Sequence, residues 1–490
     1  MDQGTFKQLA AEGYNRIPVW RSVLADLDTP LSAYQKLAGG ADSYLFESVE
    51  GGETWGRYSI IGLPCRRRLE VRRHELSTWL DGDCIDKKNV TDPLVELAAI
   101  RAGYKAPKLS QLPAFSGGLV GYFGYETVQY IEPLLANEQK DDQLDTPEIV
   151  LLESNEVAVF DNLQGRLFLI VNVDPADSGA WDYAQQRLDE LAERLRTVSP
   201  SYGEAGADRS LDESDFRFEF SRQDFIKAVQ RSKDYILAGD IFQVVLSQRM
   251  SVPFSNRPLD VYRSLRALNP SPYMFYLDLG DTQIVGSSPE VLIRVMDGEA
   301  VVRPIAGTRP RSTDPVKDQA LEKELLADPK ERAEHLMLID LGRNDIGRVC
   351  QTGSVELTDK MIIERYSHVM HIVSQVQGRL RPGLSAMDAL RAAFPAGTLS
   401  GAPKIRAMQI IDELEPLKRN IYAGAVGYLN WHDNADLAIA IRTAVIKDGQ
   451  LHVQAGAGIV ADSDPEREWE ETMNKGRALI SAVSSASRGL

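Results

Sequence analysis

Two stretches of this sequence repeat one acidic arrangement. In "ADPKERAEHLMLIDLGRNDIGR", Asp328 and Pro329 open a helical pattern, Glu331 follows three residues behind the aspartate, and Glu334 lies three residues further along the same face. In "SDPEREWEETMNKGRALISAV", Asp464 and Pro465 open the pattern, and Glu468, Glu471 and Lys475 share one stripe. Each stretch has a structural reading: Glu331 caps its helix, and Glu471 pairs with Lys475 in a solvated contact worth about a few tenths of a kcal/mol. They also have a chemical one. Two Glu-x-x-Glu faces brought opposite each other repel unless a cation lies between them, and Mg²⁺ takes such oxygens while keeping waters, which leaves a position for a substrate carboxylate.

Other stretches offer further chemistry. "PIAGTRPR", Pro304 to Arg311, sets Gly307 where a backbone can approach a ligand or take a positive φ, and can turn Thr308, backbone N–H groups, Arg309 or Arg311 toward an anion. An ordinary strand-to-loop turn with exposed arginines reads the same way. "RYSHVMHIVSQVQG" carries His368 and His371 at opposite parity in a strand-like run, so one faces inward, as a bonded core histidine or as a general base. "FPAGTLSGAPKIRAMQ" has Gly397 and Gly401 before Pro403 and Lys404 and suits an anion-binding helix start. The phosphate loops G-x-x-x-x-G-K-[ST] and G-x-G-x-x-G are missing in any strand-turn-helix context, so nucleotide chemistry has no support.

Elements able to hold these groups are abundant. The 490 residues, 43% hydrophobic and 26% charged, suffice for a large core and more than one core-forming unit. A net charge of -16 leaves no broad basic field, which argues against nucleic-acid or anionic-membrane partners. Cys65, Cys84 and Cys350 are widely spaced, without C-x-x-C or zinc-like clustering, and fit a reducing cytoplasm. The N-terminal residues lack a basic-then-apolar leader pattern, and no run of about 18 apolar residues occurs, so the chain is expected to be neither exported nor membrane-spanning.

Apolar spacing predicts a helix over 181–198, then a polar Gly- and Ser-rich linker over 201–215, between an N-terminal region, 1–200, and a second region, 216–490. A helix follows from a Ser221 cap to Gly239. Strand-like runs include "RLFLIVNV", "EVAVF", "IFQVVLSQRM", "SPYMFYLDLG", "TQIVGSS", "VLIRVM", "AVVRPIAG", "AGAVGYLN", "LAIAIRTAVI" and "LHVQAGAGIV", several joined by Asp-Gly turns. Tight turns imply antiparallel pairing, and helices without regular β-α alternation imply an α+β fold.

In order along the chain, "PIAGTRPR", "AEHLMLIDLGRNDIGR", "VMHIVS", "GTLSGAPK", "AIAIRTA", "AGAGIVADSDP" and the final Glu-x-x-Glu helix resemble the chorismate-utilising enzyme family. "YLFESVE", "GRYSIIG", "GGLVGYFGYE" and "NPSPYMFY" resemble its anthranilate-forming branch, so the likeness covers nearly the whole chain. It implies two large antiparallel sheets packed as a sandwich with helices outside, an αββα arrangement. The activity it implies is addition of ammonia at C2 of chorismate, loss of the C4 hydroxyl, and elimination of pyruvate to give anthranilate, with Mg²⁺ bound.

Residue roles carry over by position. Glu334 and Glu471 match the family's principal metal ligands and Glu331 and Glu468 their partners; Gly307, Thr308, Tyr422, Arg442, Gly456, Ala457, Gly458 and Lys475 match its chorismate contacts. Glu290 matches the general acid at the departing hydroxyl, and His371 the histidine of the aromatising elimination. Gln243 stands where water-using members carry a lysine base, and Ala306 where another branch carries a lysine nucleophile, so ammonia at C2 is the expected chemistry. No cysteine sits in a nucleophile turn, so the resemblance implies a separate glutamine amidotransferase subunit and a hetero-oligomer, a heterotetramer in that branch. Glu47, Ser48, Pro272, Tyr273 and Met274 match a tryptophan feedback site, which places that site partly in the N-terminal region. The rivals are an enzyme that stops at the aminated intermediate, 2-amino-2-deoxyisochorismate, an aminodeoxychorismate-forming enzyme, and a catalytically silent tryptophan sensor.

Overall fold

The computed structural model describes residues 1–48, 56–137, 139–200, 211–366 and 369–488; His368 and the first ten residues of the expected linker lie outside them. Its frame is two sheets of 12 strands each, antiparallel throughout. In the first, the order is Ile17–Leu24, Arg166–Val173, Glu156–Asp161, Tyr58–Gly62, Ser43–Glu47, Tyr273–Asp278, Thr282–Ser288, Thr443–Lys447, Gln450–Ile459, Gln243–Pro253 and Arg217–Phe218, with Gly401–Ala402 also on Gln243–Pro253. In the second it is Ile305–Pro310, Val369–Arg379, Glu299–Val302, Val291–Met296, Ala435–Ile439, Ala425–Asn430, Gly118–Phe123, Ile149–Ser154, Arg67–Arg72, Glu75–Leu80 and Asp83–Asn89, with Glu356–Arg365 also on Val369–Arg379.

Strand parity turns these sheets into three apolar layers, because successive side chains face opposite ways. Tyr44, Ile60, Val120, Tyr122, Ile170 and Phe275 meet between the sheets. Their neighbours Leu45, Ile61, Leu169 and Val171 face outward to helices such as Ala180–Thr197 and Pro465–Ser487. Leu119 and Phe123 do the same on the other side, under Ala386–Ala393 and Pro329–Gly347. The αββα expectation is met. Both sheets contain strands from 1–200 and from 216–490, so the two regions share every layer of the core.

Local chemistry explains the turns. Asp297-Gly298 and Asp448-Gly449, all at positive φ, close two-residue hairpins whose twist matches the flanking strands. Two sequence runs behave differently from expectation. "AVVRPIAG" breaks at Pro304, which has no N–H to donate, although both halves pair with Val369–Arg379. "LAIAIRTAVI" is not one strand: Ala435–Ile439 lies in the second sheet and Thr443–Lys447 in the first, and the chain crosses between them at Arg442, whose φ is +49°.

Candidate active site

The register of Gln450–Ile459 against Gln243–Pro253 sets Gly456 opposite Ser247 and Gly458 opposite Val245. A Cβ on Gly458 would stand 2.7 Å from the Gln243 amide nitrogen, and one on Gly456 would stand 2.9 Å from the Tyr422 hydroxyl. These glycines, with Ala457 between them, leave the space in which Gln243 and Tyr422 lie across the strand. Lys475 reaches the same strand from the C-terminal helix, donating to the Gly456 carbonyl at 2.9 Å and pairing with Glu471 at 2.8 Å.

Gly307 makes a bulge in the ladder between Ile305–Pro310 and Val369–Arg379, with φ +68°. Its carbonyl lies 2.9 Å from Nδ1 of the buried His371, and the Thr308 hydroxyl lies 3.2 Å from the same nitrogen. Burial holds the imidazole down, at about 4, with Arg442 adding to the effect, so the ring is neutral at ordinary pH. The arginines of this stretch are taken up by the chain's own acceptors. Arg309 binds Glu324, Asp328 and Glu331, and Arg311 binds Asp318 and the Tyr366 carbonyl.

Glu290 follows the Thr282–Ser288 strand and is buried, 7% exposed. Burial pushes its carboxyl up to about 8, against the opposing pull of a Thr398 hydrogen bond at 2.9 Å and of the Arg442 and Lys475 charges. A carboxylic acid kept protonated near neutrality can give a proton to a leaving group. Arg442, turned in at the crossing between sheets, lies within electrostatic reach of Glu290. Glu290, His371, Arg442 and Lys475 thus share one electrostatic neighbourhood.

The carboxylate pairs begin as their caps imply. Asp328 accepts from the Lys330 and Glu331 N–H groups, and Asp464 from those of Glu466 and Arg467. The Glu331 side chain does not return the cap; it is held by Arg309 at 3.4 Å. Glu334 accepts from the Gln243 amide at 3.2 Å. Burial raises Glu331 and Glu468, and repulsion from Glu334 and Glu471 respectively raises them further. Lys330 acts on Glu468, so the two helix starts are neighbours. Among the described residues, no three His, Cys, Asp or Glu side chains already form a cage. Two mutually repelling oxygen pairs on neighbouring helices, open to water at Glu471, nonetheless fit a hard divalent cation that keeps water ligands.

A separate cavity of about 530 Å³ brings together Glu47, Ser48, Pro272, Tyr273 and Met274, with Phe46, Tyr58 and Phe115 in its walls. The Ser43–Glu47 and Tyr273–Asp278 strands set Glu47 opposite Met274. Glu47 is buried and accepts from Tyr262 at 2.5 Å and from Arg266 at 2.9 and 3.1 Å. Tyr273 donates to Asp436 at 2.8 Å.

Sequence reasoning passed over Thr398 and Tyr366. Thr398 lies in the Gly397–Ser400 turn, whose expected anion-binding use is not what the geometry shows: Lys404 beside it is bound to the Asp345 carboxylate at 2.9 Å. Tyr366 lies two residues before His368, in a run whose only sequence signal is its histidines.

The chain matches the profile of the chorismate binding enzymes over residues 56–481. It is 58% identical over 494 residues to anthranilate synthase component 1 of Pseudomonas aeruginosa, covering 100% of both chains. It is 52% identical to the component of the same name from Neisseria meningitidis serogroup B, covering 99% of this chain and 98% of the relative. The crystal structure of anthranilate synthase component I from Streptococcus pneumoniae superposes with a TM-score of 0.77 at 39% identity, covering 94% of this chain and 99% of that one. The menaquinone-specific isochorismate synthase of Escherichia coli, at 20% identity and a TM-score of 0.70 over 98% of each chain, shares the fold.

Proposed function

Because the chain belongs to the chorismate binding enzyme family, we propose that it is the anthranilate-forming subunit that its relatives' shared name describes, a chorismate lyase using ammonia. The observation that carries this reading is the pairing, in one site, of a carboxyl held protonated with an imidazole held neutral, beside two cations suited to a dicarboxylate.

Arg442, Lys475 and the Tyr422 hydroxyl orient the substrate against the open strand surface at Gly456 to Gly458. In the first step ammonia forms a bond to C2, the ring double bonds shift, and the C4–O bond breaks. The Glu290 proton goes to the departing hydroxyl, which leaves as water, and the new ammonium group sheds a proton. Gln243, a neutral amide bound to Glu334, cannot serve as the base that water would need. In the second step His371 Nε2 removes the C2 proton, the C–H electrons complete the aromatic ring, and the C3–O bond breaks to release enolpyruvate, which becomes pyruvate. Glu334 and Glu471, backed by Glu331 and Glu468, would hold Mg²⁺, which when bound neutralises and orients a substrate carboxylate.

The ammonia is supplied by a separate glutaminase subunit in a hetero-oligomer. Supporting this, Cys84 lies on the outermost Asp83–Asn89 strand, and burial pushes the Cys65 and Cys350 thiols up, away from nucleophilic use. The 530 Å³ cavity takes tryptophan as a feedback inhibitor, its aromatic walls and buried Glu47 suiting an aromatic amino acid. No helix of the described residues is long and apolar enough to cross a membrane. The test is anthranilate fluorescence from the purified chain with chorismate, ammonium and Mg²⁺. Product that disappears with EDTA supports the reading; a folded chain that consumes no chorismate overturns it.

A further inference from the structure

His371 does not stand alone on its strand. Glu364 is its cross-strand partner in the ladder between Glu356–Arg365 and Val369–Arg379. Glu364 accepts from Arg303 at 2.5 Å and from the Tyr366 hydroxyl at 3.0 Å. The Tyr366 ring stands edge-on to the His371 imidazole, with centroids 5.5 Å apart and an interplanar angle of 64°. Its backbone is pinned at both ends, the N–H donating to Val369 at 2.8 Å and the carbonyl accepting from Arg311 at 2.9 Å. The ring is therefore held at hydroxyl and backbone alike, against the His371 imidazole.

We propose that Tyr366 is a positioning residue for the elimination, a wall that keeps the His371 ring turned with Nε2 toward the substrate, and that Glu364 and Arg303 hold that wall in place. The Gly307 carbonyl fixes which nitrogen carries the proton, but its contact and that of the Thr308 hydroxyl both fall on Nδ1, which leaves the far side of the imidazole free to swing about that atom. The tyrosine edge stops the swing. Amination at C2 does not call on His371, so loosening the wall slows only the second step. The proposal rests on the anthranilate-forming reading.

The test uses the full chain with chorismate, ammonium and Mg²⁺, following chorismate consumption, anthranilate and released 2-amino-2-deoxyisochorismate by chromatography. In Tyr366→Ala, consumption is expected within about threefold of wild type while anthranilate falls by about tenfold or more, the released intermediate making up the difference. Tyr366→Phe, which keeps the ring, and Glu364→Gln shift the product ratio less. If Tyr366→Ala does not fold, these two variants carry the test. Folded variants in which consumption and anthranilate fall in parallel, or in which the ratio stays at the wild-type value, overturn the positioning role. Wild-type protein that makes no anthranilate would instead overturn the reading beneath it.

Discussion

The Nδ1 atom of His371 lies 2.9 Å from the carbonyl oxygen of Gly307. A carbonyl only accepts, so Nδ1 carries the proton and Nε2 presents its lone pair. The bulge that exposes this carbonyl exists because residue 307 takes φ +68°, which glycine adopts without cost. The glycine thus sets the tautomer of the histidine.

If His371 is the base of the second step, removing it should separate the two steps. His371→Ala should consume chorismate in the presence of ammonium and Mg²⁺ while anthranilate formation falls by about 100-fold or more. Chromatographic detection of the aminated intermediate checks it; equal loss of both steps would contradict the assignment.

Glu290 links activity and stability to pH in the same sense, since both depend on its carboxyl keeping a proton. Its folded-state value of about 8 lies above the ordinary 4.5, so the folded chain keeps a proton that the unfolded chain has released. This stabilising contribution is intact below about pH 4.5 and is lost as pH climbs through about 8. Glu290→Gln should therefore melt roughly a few degrees above wild type at pH 9 and level with it near pH 4, while losing about 100-fold or more in amination rate. In wild type, activity at a fixed concentration of free ammonia should decline above about pH 8. Calorimetry and rate profiles test both.

The carboxylate pairs predict a metal-dependent thermal shift. Mg²⁺ at about 100 times its dissociation constant should stabilise wild type by about 2.7 kcal/mol. Glu334→Gln and Glu471→Gln should each abolish most of that shift, and EDTA should reverse it. An undiminished shift in both variants would place the cation elsewhere.

Gly458 meets the far end of the flexible Gln243 side chain, which can move aside. Gly458→Ala should cost less than about 1 kcal/mol of stability yet raise the KM for chorismate by about tenfold, because the displaced amide intrudes on the site. Denaturant titration beside steady-state kinetics separates the two effects.

In the second cavity, Ser48→Phe should fill space that a tryptophan ring would take. The concentration of tryptophan giving half inhibition should rise by about tenfold or more, with ammonium-dependent activity within about twofold of wild type. Unchanged inhibition would separate this cavity from regulation.

Much of this was legible in residue order, and the reasons are local. Asp328 and Asp464 cap their helices because Asp-Pro starts are short-range chemistry, and the Asp-Gly hairpins closed where two adjacent residues could take positive φ. What escaped depended on distant partners. The crossing at Arg442 looks in sequence like uninterrupted strand, since the residues on either side are apolar in both sheets. Arg309 and Arg311 looked available until helices 315–327 and 329–347 supplied their carboxylates. Thr398 and Tyr366 carry no pattern of their own; only the packing of Glu290 and His371 gives them a task.

The sharing of both sheets between early and late chain has a consequence for synthesis. Ser43–Glu47 pairs on one side with the nearby Tyr58–Gly62, but its other edge waits for Tyr273–Asp278. At about 5 to 20 residues per second, that edge stays unpaired for roughly 10 to 50 s after it leaves the ribosome. An apolar strand with open N–H and C=O groups is a template for a second chain over that interval. Nascent copies on one messenger are exposed to each other at their most adhesive, so yield in a cell should depend on translation speed and chaperone supply more than on the stability of the finished sandwich.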